Sequence, residues 1–574
     1  MSHRAFQWNK SRKRPSCHLA TSPDARATLQ QDVIGEGRWI PGPFGERPLL
    51  YADYTASGRA LGMVESAIQE QVLPLYANTH TETSFTGKMT TRLREAARQA
   101  VAQSVGADEQ YAVIFAGAGA TAAIDRCCRI LELSGKPVSE PSARPIIFVG
   151  PFEHHSNDLV WRECDADVVR IPLANDGLPD LAVLEQRLQE NAHRHTKIVA
   201  FSAASNVTGL KVPVAEVARV AHRHGGIVLF DYAASGPYVS INVAGTGESD
   251  HLDAIFLSPH KCVGGPGSSG VLVIRKALCV NPRPSIAGGG TVSYVTSEHH
   301  HYVSHIERRE EAGTPNILGD IRAGLALRIK DMVGAESIEQ REQELVELAL
   351  ARWGQVDNIQ LLGPQDAPKL AIFSFNIMAG EKAIHHNLVV AMLNDLFGIQ
   401  ARGGCSCAGP YGHELLSIDK HRAEIHEGLV QKGRSIYRPG WVRLGFNFFF
   451  SNETANYVIS AVEFIARYAP ILMKLYSVDE RSGVWVAQRI AVGEAPDAAA
   501  SPCLLDALLA HEISVSETRA TTTLDCFAKG LELVEHATTL PLPARHAGDD
   551  VPIRWFWWPD EAEQAMQTHV EMMP

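Results

Sequence analysis

The sequence predicts an α/β protein: a large domain on a buried, mostly parallel sheet, a smaller α+β domain after it, and a C-terminal extension. Three observations carry that prediction. Six short apolar runs alternate with helical segments between Tyr111 and Ile274. Five of them lead into glycine, histidine, asparagine, aspartate and lysine in turn. After about residue 315 the pattern changes to long amphipathic helices and isolated strands. Near-continuous apolar runs between helices mark a sheet buried on both faces, and such sheets bind ligands beyond the carboxyl ends of their strands.

At 574 residues the chain is too long for a single core. Its formal charge of −12 argues against a nucleic-acid partner, which calls for a basic face. No apolar run approaches the roughly 18 residues of a membrane span. The ten cysteines show no disulfide-framework spacing, so a reducing, cytoplasmic setting is expected. Arg4, Lys10, Arg12, Lys13 and Arg14 lack a following apolar stretch, which speaks against a secretory signal. A disordered basic arm is the plain reading; a transit peptide is the other.

Taken in order, residues 1–48 read as an arm and linker rich in Pro, Gly and Arg. The large domain is expected over 49–314, starting with a short strand at Leu49–Tyr51 and a helix over Met63–Leu75. Asn78–Thr91, polar and rich in Thr, is expected as a loop facing the site. The apolar runs are Tyr111–Phe115, Pro145–Val149, Lys197–Phe201, Gly226–Phe230, Leu252–Leu257 and Val271–Ile274. In the small domain, 315–474, helices are expected over Ile317–Val333 and Ser337–Trp353, with strands at Leu370–Phe375 and Trp441–Phe446. Residues 475–574 are less patterned, with an Ala-rich patch near Ala498 and an aromatic cluster, Trp555, Phe556, Trp557 and Trp558.

The chemistry centres on Ser258-Pro259-His260-Lys261, between an apolar run and a glycine-rich turn. Desolvation there would lower the lysine pKa and make its amine nucleophilic. Such amines form Schiff bases with carbonyls, the aldehyde of pyridoxal phosphate among them; the plain alternative is a loop lysine. Asp231 closes the preceding run, where a carboxylate suits the pyridine nitrogen of an electron-sink cofactor, or caps a helix. Gly117-Ala118-Gly119-Ala120-Thr121 lies between a strand and a helix, where backbone N–H groups and the threonine hydroxyl can cradle a phosphate. It also matches a dinucleotide fingerprint, but Glu153 is a poor ribose partner. His154 can stack on a ring, and nothing in the sequence prefers it to His155. Asn206 can donate to a phenolic oxygen or hold a turn. Ala401–Pro410 places Cys405 and Cys407 in a glycine-lined loop beside Arg402, which favours a reactive thiolate. Half a zinc site is the alternative there, without a second ligand pair. Arg402 and Arg443 can each hold a carboxylate. His299–His301 reads as a solvated loop, and Cys127 and Cys128 as core.

These stretches together resemble the class V aminotransferase group of fold-type I pyridoxal phosphate enzymes, and within it the cysteine desulfurase and selenocysteine lyase branch. The resemblance runs from about residue 49 to 470 through Tyr51–Ser57, Gly119–Thr121, Glu153–Asn157, Ser205–Gly209, Asp231–Ala234, Ser258–Lys261, Gly288–Gly290, Ala312–Asn316 and Arg402–Pro410. It implies Lys261 as the Schiff-base lysine, Asp231 as the pyridinium partner and His154 as the ring-stacking residue. Gly119, Ala120, Thr121, Ser258 and His260 would hold the phosphate, with Asn206 nearby. Gly313 and Thr314 would reach the partner subunit's phosphate, which implies a homodimer. Arg402 and Arg443 would hold the substrate carboxylate, and Cys407 would carry the persulfide. The resemblance thus implies conversion of L-cysteine to L-alanine and a Cys407 persulfide, with a sulfur-acceptor protein as a further partner and no resident metal. Departures from the family pattern are Ala234 for a glutamine, Ala122 for an acid, a lysine-following turn one residue longer, and Cys405 for a histidine. Another reaction on a small amino acid (transamination, epimerisation or β-elimination) is the alternative of the same class, and a non-catalytic scaffold that of a different one.

Overall fold

The computed structural model describes residues 25–79, 81–133, 140, 142–488, 523–544 and 551–572. The basic residues 4–14, His80 and the Ala-rich patch near Ala498 lie outside them. Seven strands form the main sheet in the spatial order Tyr111–Ala116, Gly270–Arg275, Ala254–Leu257, Ile227–Asp231, Lys197–Ser202, Ile146–Val149 and Asp167–Arg170. Six run in one direction; Gly270–Arg275 is antiparallel to both its neighbours.

The apolar runs are continuous because both faces are covered. Along each strand, side chains alternate between two cores. Val113, Phe148, Phe201, Phe230 and Ile255 point to one, under the helix Phe85–Ser104. Ile114, Ile147, Ala200, Leu229 and Phe256 point to the other, under the helix Gly119–Ile130. Phe148, Phe201 and Phe230 are fully buried, each worth about 1.5–3 kcal/mol. The six co-directional strands deliver their carboxyl ends to one rim, and Gly270 starts the reversed strand there.

The smaller sheet is antiparallel, in the order Ile359–Leu361, Ile372–Ala379, Trp441–Gly445 and Arg402–Gly404, with Lys382–Ile384 on the same long strand. The register sets Arg443 opposite Arg402 on one side and Ser374 on the other. Helices Ile317–Val333, Ala335–Trp353, His386–Phe397 and Asn452–Leu472 supply much of its core.

Two stretches differ from the sequence expectation. Residues 25–48, expected within an arm and linker, hold the helix Ala25–Asp32 and a ribbon pairing Trp39–Ile40 with Arg47–Pro48. Leu29 is fully buried, and buried Arg47 donates to the Leu396 carbonyl at 2.6 Å. Leu50–Tyr51 then pairs in parallel with Ile399–Gln400, just before the strand Arg402–Gly404 of the smaller sheet. The expected loop Asn78–Thr91 ends early, because Ser84 caps a helix from Phe85 through the Gly87 N–H at 3.2 Å. The described residues after 475 pack onto the core beneath the smaller sheet: Trp485, Phe556, Trp557, Trp558 and Ala562 are buried within it. Among the described residues no helix is long and apolar enough to cross a membrane.

Candidate active site

At the rim where the strand ends meet lies a cavity of about 270 Å³. Every co-directional strand but the edge one, Asp167–Arg170, contributes at its end: Ala118–Thr121 after Tyr111–Ala116, His154 and Ser156 after Ile146–Val149, and Ser202, Ala204 and Asn206 at Lys197–Ser202. Asp231, Ala233, Ala234, Ser258, His260 and Lys261 follow. Thr55 and Ala56 join from the N-terminal side, Arg402 and Arg443 from the smaller sheet, and Ser406 and Cys407 from the loop after Arg402–Gly404.

The helix Gly119–Ile130 points its amino end into this cavity, a natural seat for an anion. Ser258 Oγ accepts from the Ala120 N–H at 2.9 Å, and the Thr121 and Ser156 hydroxyls meet at 2.7 Å. Residue 119 must be glycine: its φ is +59°, and a Cβ there would stand 2.7 Å from His260 Cε1. The cradle is built by close approach of two loops, leaving backbone donors and hydroxyls as its lining.

Lys261 ends the short turn Pro259–Lys261 after the strand Ala254–Leu257. Desolvation lowers its pKa to about 8, opposed by the Asp231 charge and helped by Arg443. Asp231 is 5 % exposed and accepts from the Ala233 N–H at 2.8 Å. Burial raises its pKa, while that hydrogen bond and Lys261 pull it down. His154 accepts from the Ser156 N–H through Nδ1 at 3.1 Å, so the neutral ring carries its proton on Nε2. Desolvation and neighbouring Lys261 bring its pKa to about 4, leaving a neutral ring near pH 7.

The two arginines share one internal carboxylate. Asp53, itself buried, accepts from Arg443 Nη2 at 3.0 Å and from Arg402 Nε at 2.9 Å. Arg443 Nη1 donates to the Asn206 carbonyl at 3.1 Å, and its buried Nε has no protein partner. Asp53 therefore fixes both guanidiniums while leaving donors for an incoming carboxylate. Asn206 spends one amide hydrogen on the Ser406 carbonyl at 2.8 Å.

Cys407 is exposed at the cavity mouth; Cys405 is half-buried and lies outside the lining. Gly313 and Thr314 are exposed and also outside it, beyond Glu311, which is buried under Arg94 and Arg98. Among the described residues neither cysteine of the loop joins a metal-ligand cluster. One such group, His222, His251 and Asp253, comes together beside the amino end of the strand Ala254–Leu257. There Arg275 already donates to His251 Nε2 at 2.8 Å, which makes it a charge network. His299–His301 lies on an exposed hairpin.

Sequence patterns missed Asp53, Ser156 and Ser202, and gave Glu153 no role. Glu153 lies buried behind Ser202, accepting from Ser202 N–H at 2.8 Å, Ser202 Oγ at 2.6 Å and Asn157 Nδ2 at 2.5 Å. Burial nevertheless raises its pKa to about 7. An acid beside two histidines after an apolar run was the available signal.

Comparison with solved structures first defines the class of the fold. A cysteine desulfurase from Thermococcus onnurineus matches with TM-score 0.60 and 25% identity, over 73% of this chain and 94% of that one. An Escherichia coli cysteine desulfurase matches in fold with TM-score 0.57 and 23% identity, over 76% and 97%. The donors at the Gly119 helix, the lysine of lowered pKa and the buried Asp231 fit a phosphorylated pyridine aldehyde. The family model for Aminotransferase class-V matches residues 50–448, and the chain belongs to that family of pyridoxal phosphate enzymes. A probable cysteine desulfurase of Halalkalibacterium halodurans is 31% identical over 367 residues, 63% of this chain and 85% of that protein. Cysteine desulfurase from Escherichia coli is 30% identical over the same length.

Proposed function

We propose that this chain binds pyridoxal phosphate at Lys261 and removes sulfur from L-cysteine, leaving L-alanine and a persulfide on Cys407. The observation that carries the reading is an exposed thiol, Cys407, lining the same cavity as Lys261 and Asp231. When bound, the cofactor supplies an electron sink for a carbanion at the substrate Cα. The amino end of the Gly119 helix, Thr121, Ser258 and His260 would hold its phosphate, Asp231 would pair with its ring nitrogen, and His154 would stack on the ring. Arg443 and Arg402, oriented by Asp53, hold the substrate carboxylate. Lys261, whose lowered pKa of about 8 leaves roughly one amine in ten neutral at pH 7, takes and returns the Cα proton. The Cys407 thiolate attacks the substrate sulfur: an S–S bond forms, the Cβ–S bond breaks, and its electron pair stays with carbon, which is protonated to alanine.

On this reading the chain forms a homodimer in which Gly313 and Thr314, exposed and outside the cavity, reach the other subunit's phosphate. The exposure of Cys407 suits delivery of the sulfur to an acceptor protein. The test is alanine and sulfide from L-cysteine in wild type and Cys407→Ala. Equal rates would remove Cys407 from the mechanism, and α-keto acid in place of alanine would point to transamination.

A further inference from the structure

Ser406 and Cys407 have φ of +52° and +55°, the left-handed region that side chains with a Cβ avoid. Two such residues in succession persist only where neighbours hold them. Three hydrogen bonds with Asn206 and His155 do so. Asn206 Nδ2 donates to the Ser406 carbonyl at 2.8 Å. The His155 N–H donates to the Cys407 carbonyl at 2.8 Å. The Gly409 N–H donates to His155 Nε2 at 3.1 Å. His155 thus grips the loop just after the thiol-bearing carbon, by its backbone before Ala408 and by its ring after it, while Asn206 holds the loop on the other side.

The neighbouring histidines divide their work. His154 lines the cavity; His155 stands outside it and turns to the loop. A Cβ on residue 409 would stand 3.3 Å from His155 Nε2, so glycine lets this amide come close. Gly409 opens the helix Gly409–Leu415, and its N–H has no partner within that helix.

We propose that His155 is a positioning residue: the lone pair of its Nε2 holds the Gly409 amide and so keeps Cys407 in its left-handed conformation at the cavity mouth. The role of the thiol rests on the desulfurase reading above; the grip on the loop does not. The bond exists only while Nε2 is unprotonated. The charged and titratable groups around His155 are Asp158, Arg162 and His154 on its own side, and Cys407 on the loop. Burial and Arg162 lower its pKa against Asp158, so the grip holds at neutral pH and loosens on acidification.

The test compares wild type, His155→Leu and His155→Gln as cofactor-loaded full-length protein. Hydrogen exchange over residues 405–410 should quicken about tenfold in His155→Leu, the expected effect of one lost hydrogen bond. Alanine formation should fall in kcat by about tenfold with KM held within about twofold and cofactor absorbance unchanged. His155→Gln, whose amide oxygen accepts from the same N–H without titrating, should recover protection and rate and lose the acid limb of wild type's pH profile. Exchange as slow in His155→Leu as in wild type overturns the proposal. So does His155→Gln performing no better than His155→Leu. Should His155→Leu not fold, wild type and His155→Gln decide it: identical acid limbs overturn it. If wild type makes no alanine at all, the desulfurase reading fails while the exchange comparison still decides the grip.

Discussion

The free amine of Lys261 is the property on which cofactor capture depends, and its pH dependence can be worked out. Desolvation moves the pKa from an ordinary 10.5 to about 8. At 1.36 kcal/mol per pKa unit, the ammonium form is disfavoured by about 3 kcal/mol. At pH 7 roughly one amine in ten is then neutral, against roughly one in three thousand for an ordinary lysine. Capture of pyridoxal phosphate by cofactor-free protein should therefore rise with pH through a midpoint near 8. Removing the Asp231 charge removes a group that favours the ammonium, so Asp231→Asn should move the midpoint lower. Arg443→Gln removes a repelling cation and should move it higher. The assay is stopped-flow absorbance of the cofactor on mixing, from about pH 6 to about pH 10, with borohydride trapping and mass analysis to assign the lysine. A midpoint near 10.5, or Asp231→Asn moving it upward, would refute the electrostatic account of the site.

Gly119→Ala places a side chain against His260 and into a left-handed backbone, so pyridoxal phosphate affinity, read by dialysis, should fall at least about tenfold. Arg443→Lys exchanges a fixed fork for a point charge and should raise KM for L-cysteine about tenfold or more, with a smaller change in kcat. Glu153→Ala leaves three donors without their acceptor and should cost about 2–4 kcal/mol in urea unfolding. The Glu153 pKa of about 7 exceeds its ordinary 4.5, so the folded chain keeps a proton that the unfolded chain loses. Stability from this group therefore falls as pH rises from 4.5 to about 7, and Glu153→Gln should flatten that part of the curve.

The strands that frame the site were legible because they are buried on both faces, so their apolar runs stand out without alternation. Asp167–Arg170 was not: it is an edge strand, half-buried at every position, and Asp-Val-Val-Arg carries no run. Asp231 could be picked because it follows such a run directly and Lys261 because it comes four residues after one, whereas His154 was separated from His155 only by the family resemblance. Asp53 escaped notice because its work is done across 349 and 390 residues of chain, on Arg402 and Arg443. The same holds for His155, whose partners lie some 250 residues away; adjacency to His154 concealed that the two rings turn to different neighbours. Arg47 misled in another way. An arginine among glycines and prolines suggests solvent, yet here its charge is buried and its Nε caps a helix carbonyl.

The aromatic cluster near the C-terminus has a consequence for how this chain can be cut. Ala383 donates to the Trp555 carbonyl at 2.9 Å and accepts from the Trp557 N–H at 3.2 Å. The terminal segment is therefore laid alongside Lys382–Ile384, with Phe556 and Trp557 filling the space beneath. A chain trimmed of residues 551–574 would bare those backbone groups and an oily hollow together. Such an edge is a template for self-association, so the trimmed protein should precipitate or pair with itself even where every residue of the cavity is intact.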